Sequence, residues 1–179
     1  MGMEFKNMVS LVSRNGRHLQ RYSKGRRQVV GCIPYRCKAT SQTFSGEEDL
    51  EVLVISSQRK GKGMLFPKGG WEIDETIKEA ALRETVEEAG VLGIVEGELG
   101  KWNFQSKSND AYYEGCMFPL LVKEQLDLWP EKDIRQRVWM SVPEAREVCQ
   151  HWWMKEALEI LVHRLTSPQQ HDEKVVGPC

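Results

Sequence analysis

The chain has 179 residues, of which 40% are hydrophobic and 28% charged, and its formal net charge at pH 7 is −1. This composition is typical of one soluble domain with a substantial core. No apolar run approaches the roughly 20 residues that span a bilayer, and the balanced charge lacks the basic footprint of a nucleic-acid binder. The five cysteines show no C-x-x-C spacing. We therefore expect no membrane or nucleic-acid partner and no zinc site or disulfide scaffold.

Three parts are predicted along the chain. Residues 1–26 form a basic, partly irregular N-terminal segment, since the first 31 residues hold seven Lys and Arg against one acid. Residues 27–165 form the folded domain, and residues 166–179 a flexible tail. The basic start leaves mitochondrial or plastid targeting open. Cytoplasm, and for so small a protein also the nucleus, is the expected location.

The first half of the chain alternates apolar runs with turn residues. Strands are predicted over 27–37, over 50–57, which is rich in Val and Ile, and over 64–66, with a polar loop over 38–49. Pro67 and the Gly69-Gly70 pair end the third strand.

A helix is predicted from Asp74, a favourable N-cap, to the residue before Gly90, a favourable C′ residue. Helical residues advance by about 100° each, so Glu84, Glu87 and Glu88 lie within one arc and form an acidic face. Two like charges about 4 Å apart repel by roughly 4 kcal/mol near a protein surface. The acidic face therefore predicts a bound cation. The opposite side of the helix would pack through Leu82, Val86 and Ala89.

The second half of the chain continues the alternation. Strands are predicted over 101–106, 111–122 and 134–142. Ser141 and Glu144 have the spacing of a capping box that opens a short helix, and residues 151–165 form an amphipathic helix with Trp153, Ala157, Ile160 and Leu161 as core contacts. Such an order favours a single domain with a mixed sheet, either α+β or an α/β sandwich.

The spacing of residues around the acidic face is specific. Gly69 is followed after five residues by Glu75, after seven more by Arg83-Glu84, after two by Glu87-Glu88 and after one by Gly90-Val91. This pattern closely resembles the Nudix box. Thr85 is the one mild departure, because the family usually has an aliphatic residue there.

The resemblance implies an α/β/α sandwich with a mixed β-sheet and a catalytic helix. It also implies hydrolysis of a diphosphate linked to another moiety, with Mg²⁺ as the metal and Mn²⁺ as a substitute. By this analogy Glu84 and Glu88 are metal ligands, the Gly69 carbonyl adds a ligand, and Glu87 is the general base, with the glutamate roles interchangeable across the family. Arg83 would orient Glu84 through charge-assisted hydrogen bonds. Glutamate oxygens are ligands that suit Mg²⁺.

Segments outside the box carry a finer resemblance. GRRQVVGCIPYR, FPKGGWE, VKEQLDLWPE and IRQRVWMSVPEAREVC are similar to the plant form of the diphosphoinositol polyphosphate phosphohydrolase group. That group also includes members that cleave diadenosine polyphosphates. Lys68 stands where animal members carry a third glycine, and it would place a cation at the mouth of the phosphate site. The implied substrate is a small polyphosphate, an inositol pyrophosphate that releases phosphate, and the enzyme is expected to be a monomer.

So dense an anion requires several cationic contacts. Arg135 and Arg137 alternate onto the same face of the predicted strand 134–142, which would suit a shared phosphate pocket. The glycine pair lets the backbone approach phosphate closely. The predicted substrate-binding residues are Arg27, Arg36, Lys68, Gly69, Gly70, Arg135 and Arg137.

Two other functions stay open on the sequence. A hydrolase of diadenosine polyphosphates or other nucleoside diphosphates linked to a second group would hold a base by aromatic stacking. The available rings are Trp71, Trp102, Tyr112, Tyr113, Trp129 and Trp139, most of them expected to be structural. A non-catalytic nucleotide- or RNA-binding Nudix module is disfavoured, because the chain retains all three glutamates of the acidic face.

Overall fold

The computed structural model describes residues 13–14, 16, 18–38, 44–58 and 63–167. Of the predicted N-terminal segment it therefore covers only the last part, and of the predicted tail only residues 166–167. The strands are β1 Tyr22–Ser23, β2 Arg26–Cys37, β3 Leu50–Ser56, β4 Met64–Leu65, β5 Lys68–Gly70, β6 Val91–Val95, β7 Gly100–Gln105, β8 Tyr112–Gln125 and β9 Arg137–Ser141. The helices are α1 Ile77–Ala89, α2 Val142–Val148 and α3 Trp152–Thr166, with a 3₁₀ turn at Glu47–Asp49.

The nine strands found in the described residues belong to one mixed sheet. Its two longest strands, β2 and β8, pair in parallel, and the other named pairs are antiparallel. Residues 28–35 of β2 are buried without interruption, so both faces of the central sheet are covered. Helix α1 packs against β2, β5 and β6, α2 against β3 and β9, and α3 against β7 and β8. The predicted α+β fold, an α/β/α sandwich, is confirmed.

The helix that carries the acidic face begins later than predicted. Thr76, not Asp74, is its N-cap: the Thr76 hydroxyl accepts a hydrogen bond from Glu79 N, and the Glu79 carboxylate accepts one from Thr76 N, both at 3.2 Å. This capping box satisfies two free N–H groups of the first turn, whereas the Asp74 carboxylate accepts from Arg14 instead. At the other end Gly90 adopts the left-handed conformation with φ 65°, as predicted for its C-terminal position.

Three short or irregular strands depart from the sequence expectations. Strands β1, β5 and β6 are not predicted, and β5 has the sequence Lys-Gly-Gly, which has no strand preference of its own. It forms because it pairs with Val29–Gly31 of β2. The predicted strand 134–142 begins only at Arg137, since Ile134 N and Arg135 N both donate to Glu131 O in a turn.

The remaining helices behave largely as predicted. Ser141 caps α2, its hydroxyl accepting from Glu144 N at 3.3 Å. Helix α3 buries Trp153, Ala157 and Leu161, but Ile160 is 38% exposed and its predicted core role is wrong, because it lies beside the buried stripe of the helix. Within the described residues no helix is long and apolar enough to cross a membrane.

Candidate active site

The acidic face of α1 lies against the glycine strand β5. Val30 pairs with Gly69, and this pairing sets β5 beside the helix. A Cβ placed on Gly69 would lie 2.1 Å from Oε2 of Glu84, far inside contact distance. Only glycine allows the Glu84 carboxylate to approach the backbone this closely.

Arg83 makes hydrogen bonds to both sides of the site, to carboxylates and to the backbone of β5. Its Nε and Nη2 donate to the two oxygens of Glu75 at 2.9 and 2.6 Å, and Nη2 also donates to Gly70 O at 2.9 Å. Its Nη1 donates to Glu84 at 2.8 Å and lies 3.5 Å from Glu87. Burial acts against the Arg83 charge, but Glu75, Glu84 and Glu87 outweigh it and raise the guanidinium pKa. Arg83 thereby ties the glycine strand to the helix.

The other two glutamates of the acidic face are buried, each only 7% exposed. These two acids do not face solvent, because β5 and residues further along the chain cover that side of α1. Glu88 accepts hydrogen bonds from Lys68 N at 3.0 Å and from Arg135 Nη2 at 3.1 Å. Glu87 accepts from Arg14 N at 3.2 Å.

Sequence reasoning missed a fourth carboxylate, Glu131. It is 9% exposed and accepts hydrogen bonds from Gln58 at 3.0 Å, Ser13 at 3.3 Å and Arg135 at 3.1 Å. Its backbone N–H donates to Glu87 O at 3.0 Å. The WPE stretch that contains it belongs to a segment noted for its resemblance, but nothing periodic singles Glu131 out in the sequence.

Burial and mutual repulsion disfavour the ionised form of the carboxylates in the cluster. Burial, and then the Glu84 charge, raises the pKa of Glu87 to about 7. Burial also raises the pKa of Glu88 to about 8 despite the nearby Arg135 and Lys68, and it raises that of Glu84. Repulsion from the Glu131 charge raises the pKa of all three glutamates further. The carboxylates outnumber the cations beside them, Arg83, Arg135 and Lys68, and the cluster suits a multivalent cation.

Comparison with known proteins decides the family. Residues 25–161 match the family model described as NUDIX domain. The chain belongs to the Nudix family. It is a Nudix hydrolase, of a pyrophosphohydrolase class, and the resemblance seen in the sequence is confirmed.

Three relatives illustrate the range of that similarity. Nudix hydrolase 17, mitochondrial, of Arabidopsis thaliana is 62% identical over 179 residues, covering 99% of this chain and 96% of the relative. Diphosphoinositol polyphosphate phosphohydrolase 2 of Mus musculus is 35% identical over 118 residues, covering 65% and 64%. A crystal structure of a C. elegans Ap4A hydrolase binary complex has the same fold, with a TM-score of 0.56 at 19% identity, covering 75% of this chain and 93% of that one.

Nudix hydrolases generally use a divalent metal ion, and the donor set present here fits one. Hard carboxylate oxygens are the ligands that Mg²⁺ prefers, and Gly69 leaves space beside the backbone for a single carboxylate. In the part of the chain that the structure describes, no three carboxylate, imidazole or thiolate groups converge closely enough to hold an ion as they stand. Arg83, Arg135 and Lys68 N hold these oxygens instead.

Two cations lie at the glycine strand β5: Arg27 packs against it, and Lys68 is its first residue. Arg27 Nη2 would lie 3.0 Å from a Cβ on Gly70, and its Nε is buried with no hydrogen-bond partner among the described residues. Because successive residues face opposite sides of a strand, Arg27 approaches β5 from the side opposite Glu84. The Lys68 charge is close enough to lower the pKa of Glu84 and Glu88 against the effect of burial.

The other three predicted phosphate contacts have different partners. Arg36 lies five residues beyond Gly31 on β2, roughly 16 Å away, where it stacks 4.0 Å over Trp139 and pairs with Glu51. Arg135 precedes β9, so it does not alternate with Arg137 along one strand. Arg137 donates to Ala89 O, Gly90 O and Leu126 O. The structure does not bring these three arginines together in one pocket.

Proposed function

We propose that this Nudix hydrolase removes a phosphate from the diphosphate group of diphosphoinositol polyphosphates, with Mg²⁺ as the metal and Mn²⁺ as a substitute. The observation that carries the proposal is the buried carboxylate cluster beside the glycine strand, where burial, with repulsion between the carboxylates adding to it, raises the pKa values of the glutamates. A bound cation would offset both effects. The name of the mouse relative supports the inositol class of substrate.

The residues divide into four roles in this proposal. Glu84, Glu88 and the Gly69 carbonyl would hold the metal, with Glu131 adding negative charge beside them. When bound, the metal neutralises charge on phosphoryl oxygens and lowers the pKa of the attacking water. Glu87 accepts a proton from that water as its oxygen attacks phosphorus and the phosphoanhydride P–O bond breaks. Arg83 keeps Glu84 beside β5 and fixes the carbonyl of Gly70.

Arg27 and Lys68 are the substrate-binding residues that the geometry supports, and the backbone at Gly69 and Gly70 lets the diphosphate approach. Among the described residues the buried Nε of Arg27 has no hydrogen-bond partner, and the fork of a guanidinium matches a phosphate group. Inositol phosphates carry several such groups, so two cations at this one strand suit them.

Arg27→Ala is expected to raise KM for the inositol substrate while leaving kcat nearly unchanged, because it removes a charge-assisted contact worth about 1.5–3 kcal/mol, or roughly tenfold or more in KM. Arg36→Ala is the matched control on the same strand, since its partners are Trp139 and Glu51, and its KM should equal that of the wild type. Steady-state kinetics on both variants measures this. Equal KM values for the two variants would remove Arg27 from the substrate site.

The substrate class is tested by phosphate release from the purified protein with Mg²⁺. We expect faster release from a diphosphoinositol polyphosphate than cleavage of a diadenosine polyphosphate at matched low concentration, with chelator-treated protein as the blank. The reverse order would replace the proposed substrate with a dinucleotide.

One observation favours that second function. Tyr112 is 54% exposed at the start of β8, with the Arg26 guanidinium 5.5 Å from its ring. An exposed ring beside a cation is a suitable surface for stacking a nucleobase. Three other candidate rings have their indole N–H groups engaged within the protein. Trp102 donates to Glu156, Trp139 to Gln125 and Trp71 to Glu75 O.

We also propose a mitochondrial location in place of the cytoplasm. The Arabidopsis relative at 62% identity is named as mitochondrial. Residues 1–21, which precede β1, hold four Lys and Arg against one acid, and this agrees with that location.

A further inference from the structure

Residues 126–135, here called the Glu131 loop, are held against the C-terminal turn of α1. Leu126 N donates to Gly90 O at 2.8 Å, and Glu131 N donates to Glu87 O at 3.0 Å. These bonds use carbonyls at the end of the helix, which have no partner within it. The loop therefore extends the catalytic helix and carries Glu131 back to the carboxylate cluster.

Arg137, just after the loop, holds the loop to the end of α1 by hydrogen bonds. Its Nη1 donates to Ala89 O at 3.1 Å and Gly90 O at 3.0 Å, and its Nη2 donates to Leu126 O at 2.6 Å. One guanidinium thus joins the last carbonyls of α1 to the first residue of the loop. A cation at this end also interacts favourably with the helix dipole.

A tryptophan of the Glu131 loop also contacts Arg137. The Arg137 guanidinium lies 3.8 Å from the ring centre of Trp129, and the Nε1 of Trp129 is buried without a hydrogen-bond partner in the described part of the chain. The ring is therefore held by stacking. The ring also lies beside Gly90, where a Cβ would be 2.6 Å from it. Glycine at this position ends the helix and leaves room for Trp129.

Arg135 connects the Glu131 loop to the carboxylates. Its Nε donates to Glu131 and its Nη2 to Glu88, both at 3.1 Å, and its Nη1 donates to Ser56 O at 2.8 Å. The Arg135 side chain is 9% exposed. Its position sets the separation of Glu88 and Glu131, and it depends on where the loop lies.

We propose that Arg137 is a positioning residue: it fixes the Glu131 loop on the end of α1 and so places Glu131 and Arg135 among the catalytic carboxylates. This inference rests on the proposed function, because it assigns work to the same site. It differs from a phosphate-binding role, since the N–H groups of Arg137 already serve three carbonyls and its face is covered by Trp129. Residues that orient metal ligands without touching the metal typically change activity or metal affinity 10- to 100-fold when replaced.

Arg137→Lys tests the proposal, because lysine keeps the charge but lacks the planar fork that joins three carbonyls. Trp129→Leu is the second variant, which removes the stacking ring and leaves the Arg137 donors in place. Arg146→Lys is the matched control: this arginine also bridges several groups, Glu47 and Glu159, at a distance from the site. For each protein we would measure kcat, KM, thermal midpoint, and Mn²⁺ affinity by electron paramagnetic resonance without substrate.

The expected result is a fall in kcat and in Mn²⁺ affinity of about 10- to 100-fold for Arg137→Lys, with KM little changed. Trp129→Leu should shift both in the same direction, and Arg146→Lys should match the wild type in both. A raised KM with unchanged Mn²⁺ affinity would overturn the proposal in favour of substrate contact. A lowered thermal midpoint alone would overturn it in favour of a purely structural role. If the wild type hydrolyses neither inositol nor diadenosine substrates but Arg137→Lys still weakens Mn²⁺ binding, the proposed function fails and the positioning role stands.

Discussion

Glu87→Gln is expected to reduce turnover by about 10²- to 10⁴-fold, the usual contribution of a positioned general base, while raising the thermal midpoint of the metal-free protein. Glutamine keeps the size of the side chain and its acceptor for Arg14 N. It cannot accept a proton from water, so chemistry is lost and the fold is retained. Turnover is measured with Mg²⁺ at saturating substrate.

The expected rise in the thermal midpoint of Glu87→Gln follows from the raised pKa of Glu87. Burial and the Glu84 charge raise the folded-state pKa of Glu87 to about 7, above the unfolded value of about 4.3. The ionised group therefore destabilises the folded protein above pH 7, and this penalty declines as the pH falls towards the unfolded pKa. Glutamine does not ionise, so the gain in thermal midpoint should be largest at alkaline pH and vanish near pH 4, measured in the presence of a chelator.

Glu79→Gln provides the control on the same helix. Glu79 is exposed and belongs to the capping box at the N-terminal end of α1, so the change removes one charge from the helix without touching the cluster. Its turnover should equal that of the wild type. Wild-type turnover by Glu87→Gln would mean that another group, such as Glu131, accepts the proton.

Gly69→Ala is expected to lower turnover by about 100-fold with little loss of stability. The new methyl group would lie 2.1 Å from the Glu84 carboxylate. The end of a glutamate side chain moves at little cost, so the fold accommodates the change by displacing the carboxylate. Displacements of about 1 Å in a catalytic site cost on the order of 10² in rate. Kinetics and thermal unfolding of the same preparation separate the two effects.

Gly97→Ala is the matched control, since a Cβ there has its nearest neighbour at 3.7 Å, an ordinary contact distance. Both its turnover and its thermal midpoint should stay near the wild-type values. Full activity in Gly69→Ala would show that the close approach of Glu84 to β5 is dispensable, and it would remove Glu84 from the proposed metal ligands.

The sequence alone determined the features that depend on neighbours within a few residues. Helical geometry places Glu84, Glu87 and Glu88 on one face whatever surrounds them, and glycine at position 90 ends the helix because only glycine adopts the left-handed conformation without cost. Thr76 was equally readable, because Glu79 follows it at the capping-box spacing. Asp74 is an equally good N-cap residue in isolation, but Arg14 pairs with it in the folded protein.

Tertiary structure alone decided which residues join that helix face. The backbone N–H of Glu131 reaches the carbonyl of Glu87, and the Arg135 guanidinium reaches the Glu88 carboxylate across 47 positions of sequence, through packing that no local pattern encodes. Arg36 and Arg137 have the same chemistry as Arg27 in the sequence, yet they stack closely on Trp139 and Trp129. Within the described part of the chain, the Nε of Arg27 has no hydrogen-bond partner. Local geometry fixes where charges lie on one element, whereas the partners that pair with them or bury them are set by how distant elements pack.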